Sequence, residues 1–243
     1  MTEPRILFLD IETSYISVVG FQLNMDYVSP SNILEDWRII CAAWKWQGQK
    51  KVHASWDIED DLQVCIDLRD AIAKADMVVH HNGDKFDMKK LNARLIKHGI
   101  DPFPTVVSVD TLKVARKEFK FTSNRLDYIG KYLGCGGKIV NEPGLWRKVY
   151  EGDEAALKRM VRYNKRDVTL LEEVYEIMRP YITNHPKLIP STNEARRCQG
   201  CGSASINLRG YAIKRSGLKY QKYQCQSCGM WGQDKNCTKP TTN

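Results

Sequence analysis

The stretch Arg5-Ile6-Leu7-Phe8-Leu9-Asp10-Ile11-Glu12-Thr13 decides the fold. Its short apolar run meets acids at the far end and reads as a buried strand over Arg5–Ile11. Side chains alternate along a strand, so Asp10 and Glu12 project together and Ile11 points the other way. Two adjacent acids repel each other by roughly 1 kcal/mol or more, and a divalent cation offsets this best. Asp-x-Glu is also common at solvated strand ends, so the pair alone decides nothing.

Outward from this strand, residues 38–46 and Lys51–Trp56 read as two more, separated by the turn Gln47-Gly48-Gln49. Asp61–Ala75 has helical apolar spacing, and Met77–His81 is a short buried strand. Phe86–His98 is a helix closed by Gly99, and Val106–Val109 is a strand leading into a helix capped by Asp110 or Thr111. Leu126–Leu133 is helical, and Glu154–Met178 holds two helical stretches stopped by Pro180. Three early strands followed by βα alternation predict an α/β fold, a mixed sheet flanked by helices.

Two further clusters carry acids. His81-Asn82-Gly83-Asp84-Lys85-Phe86-Asp87 follows a strand and opens a helix. Asp87 falls in the first turn, where the helix dipole favours an acid even without metal. Asp84 reads as the N-cap, and His80 and His81 read as hydrogen-bonded strand-end residues outside any site. In the third cluster, Tyr163 and Asp167 are four apart and share one helix face. An inward-facing acid there needs a partner.

Taken in order, Phe8-Leu9-Asp10-Ile11-Glu12-Thr13, His81-Asn82-Gly83 to Phe86-Asp87, and Tyr163-x-x-x-Asp167 resemble the three Exo motifs of the DEDD 3′–5′ exonuclease superfamily, whose fold is ribonuclease-H-like. Val109-Asp110-Thr111-Leu112, Leu126-Asp127-Tyr128-Ile129 and Leu145-Trp146 are similar to spacer segments of family-B-polymerase-type exonuclease domains. The resemblance covers about residues 4–182 and implies that Asp10, Glu12, Asp87 and Asp167 bind two Mg²⁺ or Mn²⁺ ions. It implies that Tyr163 orients the attacking water, since a phenol with a pKa of about 10 is a poor base at neutral pH. The His variant of the family has its His five residues before the last Asp; Arg162 stands here, which favours the Tyr variant. Gly83-Asp84-Lys85 lengthens the second motif, so Asp84 is an alternative register. The Phe-Asp pair and following helix favour Asp87.

Cys198-x-x-Cys201, 23 residues, then Cys225-x-x-Cys228 is the strongest single motif. Two such knuckles, turned by Gly202 and Gly229, complete a tetrahedral thiolate site for one structural Zn²⁺. The segment looks like a zinc ribbon with strands at Ser205–Tyr211 and Lys219–Cys225. Residues 191–243 hold 9 Lys/Arg against 2 Asp/Glu, a net +7 of the chain's +8. Arg209, Tyr211, Lys214, Arg215, Lys219, Tyr220, Lys222 and Tyr223 interleave cations with aromatics, a pattern for phosphates and unpaired bases. A thin ribbon core with solubilising charges is the plainer reading of the same residues.

The domains expected are 1–183 (exonuclease), 184–195 (linker, with Pro186 and Pro190) and 196–243 (ribbon). The function expected is metal-dependent 3′–5′ exonuclease action on nucleic-acid 3′ ends, with DNA favoured. Alternatives are an RNA 3′-trimming enzyme or structure-specific endonuclease on the same fold, and a non-catalytic nucleic-acid-binding or replication adaptor. Nucleic acid is the expected partner, with a replication or repair protein as a second. No long apolar run or secretory pattern is present, which points to the cytoplasm, or a host cell's cytoplasm, and away from membranes.

Overall fold

A computed structural model describes residues 4–22, 24–139, 143–188 and 196–238. Strand β1 (Ile6–Thr13) is followed by a small hairpin, β2 (Ser17–Val18) and β3 (Ile33–Glu35), which the sequence did not announce. Strands β4 (Ile39–Trp46) and β5 (Val52–Trp56), helix α1 (Leu62–Ala73), β6 (Met77–His80), α2 (Asp87–Lys97), β7 (Val107–Asp110) and α3 (Thr111–Glu118) come next. Then follow α4 (Leu126–Tyr132), α5 (Leu145–Tyr150) and α6 (Glu154–Met178). The five-stranded sheet has the order β5-β4-β1-β6-β7, with β4 and β5 antiparallel neighbours and β6 and β7 parallel to β1. This is the mixed sheet flanked by helices that the sequence predicts.

The alternation of β1 divides the core. Ile6 and Phe8 pack with Val168, Leu171, Val174 and Tyr175 of α6, whereas Leu7, Leu9 and Ile11 pack with α1 and α2 on the opposite face. Asp10 and Glu12 share the parity of Phe8 and so face α6. Strand β6 pairs only with Ile6–Phe8, which frees the backbone of β1 beyond Phe8 on that side. The site forms at this uncovered end.

Helix α6 is one continuous 25-residue helix rather than two stretches. Asp153 caps its start by accepting from the amides of Ala155 and Ala156 at 2.8 and 3.0 Å. Asn164 and Asp167 are buried on the same face as Met160, Val168 and Leu171, so the polar run mid-helix is a site built into the packing face rather than a break.

The C-terminal sheet has three antiparallel strands, β8 (Ile206–Ile213), β9 (Lys219–Cys225) and β10 (Trp231–Thr238), in the order β10-β9-β8. The third strand was not expected from the sequence. The first residues of the expected linker are packed on the main domain: His185 is buried, bonded to the Tyr175 hydroxyl at 2.7 Å, and Leu188 packs on the main core. Residues 189–195 lie outside the described residues. Among the described residues, no helix is long and apolar enough to cross a membrane.

Candidate active site

Asp10, Glu12 and Asp167 each bring one carboxylate oxygen to a common point, all within 4.8 Å of one another. Strand parity supplies the first two and the buried face of α6 supplies the third. Asp87 stands beside them. Its Oδ1 accepts the Ile11 amide at 3.0 Å, the bond that β6 is too short to provide. Asn164 donates to Asp10 Oδ2 at 2.7 Å, and its own Oδ1 accepts from the Cys41 thiol at 3.1 Å. Cys41, buried in β4, thus supports the site at one remove.

Burial and mutual repulsion govern the charges. Desolvation, then Asp87, Glu12 and Asp167, hold Asp10 well above the usual carboxylate range. Burial, then Asp167, pushes Glu12 up to about 8. Burial pushes Asp87 up to about 6 and raises Asp167 as well. Such acids ionise together only when a cation joins them. One cation is already present: Lys138 pairs with Asp167 Oδ2 and donates to the Tyr163 hydroxyl at 3.1 Å. Burial opposes the charge of Lys138, but Asp167 outweighs it and raises its pKa.

Asp167 Oδ1 is nonetheless buried without a partner. An orphaned anionic oxygen beside two further carboxylates is the donor set a hard divalent cation takes, so these residues fit Mg²⁺ or Mn²⁺. Tyr163 is pushed above its ordinary pKa by burial and by Asp167, so its phenol stays protonated. Its ring meets Trp146 edge-on at 6.2 Å.

The structure separates the two candidate registers of the second motif. Asp84 does not cap α2; Phe86 precedes the helix. The Asp84 carboxylate turns instead to Ser108 and Lys113, both at 2.6 Å, and to His80 at 3.2 Å. Asp87 alone reaches the β1 end. The tight turn also differs in detail. Asn82 carries the left-handed φ of 72°, its amide held by Asp110 at 2.8 Å. Gly83 is needed for closeness, since a Cβ there would lie 2.3 Å from the His80 ring.

Lys138 was missed in the sequence. It follows Gly134-Cys135-Gly136-Gly137, and its own amide donates to Asp127 Oδ1 at 2.8 Å. A Cβ on Gly137 would lie 2.8 Å from that same oxygen, so this glycine lets the loop settle on Asp127 and aim Lys138 inward. A glycine-rich turn ending in lysine between the second and third clusters was the available signal. Asn164 was visible as the neighbour of Tyr163, three residues before Asp167.

In the ribbon, Cys198, Cys201, Cys225 and Cys228 place their four sulfurs within 4.8 Å of one another. The Cys198–Cys228 and Cys201–Cys225 pairs are each 3.6 Å apart. A regular tetrahedron with Zn–S bonds of about 2.3 Å sets sulfurs about 3.8 Å apart, so the cysteines fit a tetrahedral thiophilic ion. Both knuckles close alike, with Gly202 and Gly229 at φ 78° and 71° donating to the carbonyls of Cys198 and Cys225. The apolar core beside the sulfurs is little more than Met230 and Ile206. Arg179, buried at the end of α6, donates to the Gly200 carbonyl at 3.3 Å; burial opposes its charge, but Tyr175 and then Cys228 outweigh it and raise its pKa.

Of the ribbon residues expected at a nucleic-acid surface, Arg209, Tyr211, Lys214, Arg215 and Lys219 are exposed, and Tyr220 and Lys222 are half-buried. Tyr223 is a correction. It is 4% exposed, and a Cβ on Gly232 would lie 2.3 Å from its ring. It fills the ribbon's interior and cannot stack on a base.

No curated protein matches the chain. Among solved structures, the family B DNA polymerase from the hyperthermophilic archaeon Pyrobaculum calidifontis is similar, with a TM-score of 0.57 and 19% identity. The likeness covers 73% of this chain and 25% of the polymerase, so the chain spans about a quarter of that protein's length. A family model described as RNase_H superfamily matches residues 7–179. With that match across most of its length, the chain belongs to the RNase_H superfamily.

Proposed function

We propose that this protein is a metal-dependent 3′–5′ exonuclease that removes nucleotides from nucleic-acid 3′ ends, with DNA the favoured substrate and the ribbon holding the strand. The observation that carries this reading is the orphaned Asp167 Oδ1 in a cluster whose other acids, Asp10 and Glu12, converge on the same point. A binding module gains nothing from concentrating negative charge where phosphates must approach.

Hydrolysis adds water across the terminal phosphodiester and frees a nucleoside monophosphate. Bound divalent cations would supply a more acidic water and charge neutralisation at the phosphate and leaving oxygen. Asp10, Glu12, Asp87 and Asp167 would hold them, and Asn164 fixes the rotamer of Asp10. The Tyr163 oxygen accepts from Lys138. A second lone pair of that oxygen can accept from a water. Tyr163 positions that water and does not deprotonate it. Zn²⁺ at the four cysteines would hold the ribbon folded, since so small a core cannot offset an ordering cost of about 1–2 kcal/mol per residue.

A panel of labelled oligonucleotides tests this. Open 3′ ends should be degraded stepwise with Mg²⁺ or Mn²⁺, 3′-blocked ends should resist, and DNA should outrun RNA. Cleavage of closed circular single strands would refute exonuclease action in favour of an endonuclease.

A further inference from the structure

A ladder of rings lies between the ribbon and the acids, and none of its members takes part in the chemistry above. At the ribbon end, Gly229 of the second knuckle sits on Pro180 so closely that a Cβ would meet the proline ring at 2.7 Å. The next residue, Tyr181, meets Phe119 edge-on at 5.4 Å. Phe119 stacks on Phe121 at 5.1 Å, Phe121 meets Tyr132 at 5.3 Å, and Tyr132 stacks on Tyr128 at 6.3 Å. Tyr128 adjoins Asp127, which holds the backbone of Lys138, the lysine on Asp167. The ladder therefore starts at the ribbon and ends one residue from the support of the candidate active site.

Phe119 and Phe121 pack on the main core, which fixes the inner rungs. Core filling does not account for the outer ones, because Tyr132 is 66% and Tyr181 61% exposed. Cations flank them. Lys120 lies between the two phenylalanines, Arg116 stands in the last turn of α3 and Arg125 precedes α4. All three are exposed, and none pairs with an acid among the described residues; Lys117 and Lys131, by contrast, are taken up by Glu118 and Asp127. Open aromatic faces beside unpaired cations suit a polyanion with unstacked bases.

We infer that this ladder is a binding track for single-stranded nucleic acid. Bases stack on Tyr132 and Tyr181, phosphates meet Lys120, Arg116 and Arg125, and the strand passes from ribbon to acids. Paired bases in a duplex have no free faces to offer, so the track selects single strands. The inference rests on the nucleic-acid reading above but not on hydrolysis.

Fluorescence anisotropy on the full, zinc-loaded chain without added Mg²⁺ tests it, using a labelled oligonucleotide of about 20 nucleotides. Tyr132→Ala and Tyr181→Ala should each weaken single-strand binding about tenfold, and Tyr132→Phe should restore it. Lys120→Glu should weaken binding and shallow the slope of log affinity against log salt. Alanine variants with unchanged melting and wild-type affinity would overturn the track, as would equal losses on single and double strands. A wild-type chain that binds through these rings yet releases no nucleotide with any divalent cation would sink the nuclease reading and leave the track standing. Nucleotide release with no loss of affinity in the variants would do the reverse.

Discussion

Lys138 pairs with one oxygen of Asp167 while the other oxygen of the same carboxylate is buried with no partner. A single acid is thus half neutralised by the chain and half left for something else. Asp10 and Glu12 each bring a carboxylate oxygen within 4.8 Å of this same carboxylate.

Removing the ammonium tests the division first. In Lys138→Met the acids lose the ammonium paired with Asp167, so Mn²⁺ measured by calorimetry should bind more tightly than in wild type. Tyr163 loses its donor at the same time, and hydrolysis at saturating metal should fall about tenfold or more. Weaker metal binding would show that Lys138 helps build the metal site instead of competing with it.

Substituting the phenol separates positioning from base catalysis. Tyr163→Phe should lower the rate about tenfold with little change in substrate affinity, below the range of about 10²–10⁴-fold for a lost general base. A larger loss with an altered pH profile would assign Tyr163 a proton-transfer role, against its raised pKa.

Acidity gives a stability signature. Glu12 and Asp87 hold their protons more tightly folded than unfolded, at about 8 and about 6. The folded state therefore binds more protons across the window from ordinary carboxylate values up to about 8, and stability falls as pH rises through it. Without added divalent ion, the melting temperature should drop between about pH 5 and about pH 8. Added Mg²⁺ should remove most of the drop by pairing with the ionised acids. A flat metal-free profile would contradict the buried, repelling cluster.

The ribbon makes a separate prediction. Elemental analysis should find zinc, and Cys225→Ser should lose it together with the ribbon's fold. Arg179 donates to the Gly200 carbonyl between the two cysteines of the first knuckle, so Arg179→Met should release zinc faster to a chromogenic chelator. Unchanged release would leave Arg179 as a packing residue only.

How much of this the sequence disclosed depends on which property carried each residue. The parity of β1 is a backbone rule, so Asp10 and Glu12 were legible together, and so was the shared face of Tyr163 and Asp167. Asp87 and Asp84 lie in one turn, and only the reach of the Ile11 amide separates them. Lys138 arrives from a glycine loop 29 residues before its partner, a distance no local pattern spans. Tyr223 was misread because alternation along a ribbon strand does not say which face is covered, and β10 covers it at Gly232, a residue with no side chain to announce the contact. The four cysteines were the plainest signal, because their spacing is itself the geometry of two knuckles.

In the function proposed, the buried acid cluster centred on Asp167 binds metal to cut 3′ ends. The most direct measurement compares Mg²⁺-dependent release of nucleotides from a 3′-labelled single strand by wild type and by Asp167→Asn, which keeps the side chain's size and removes its charge. Release by Asp167→Asn should fall by about 10³-fold or more while the melting temperature stays near wild type. Wild-type release would mean that this carboxylate holds no catalytic metal.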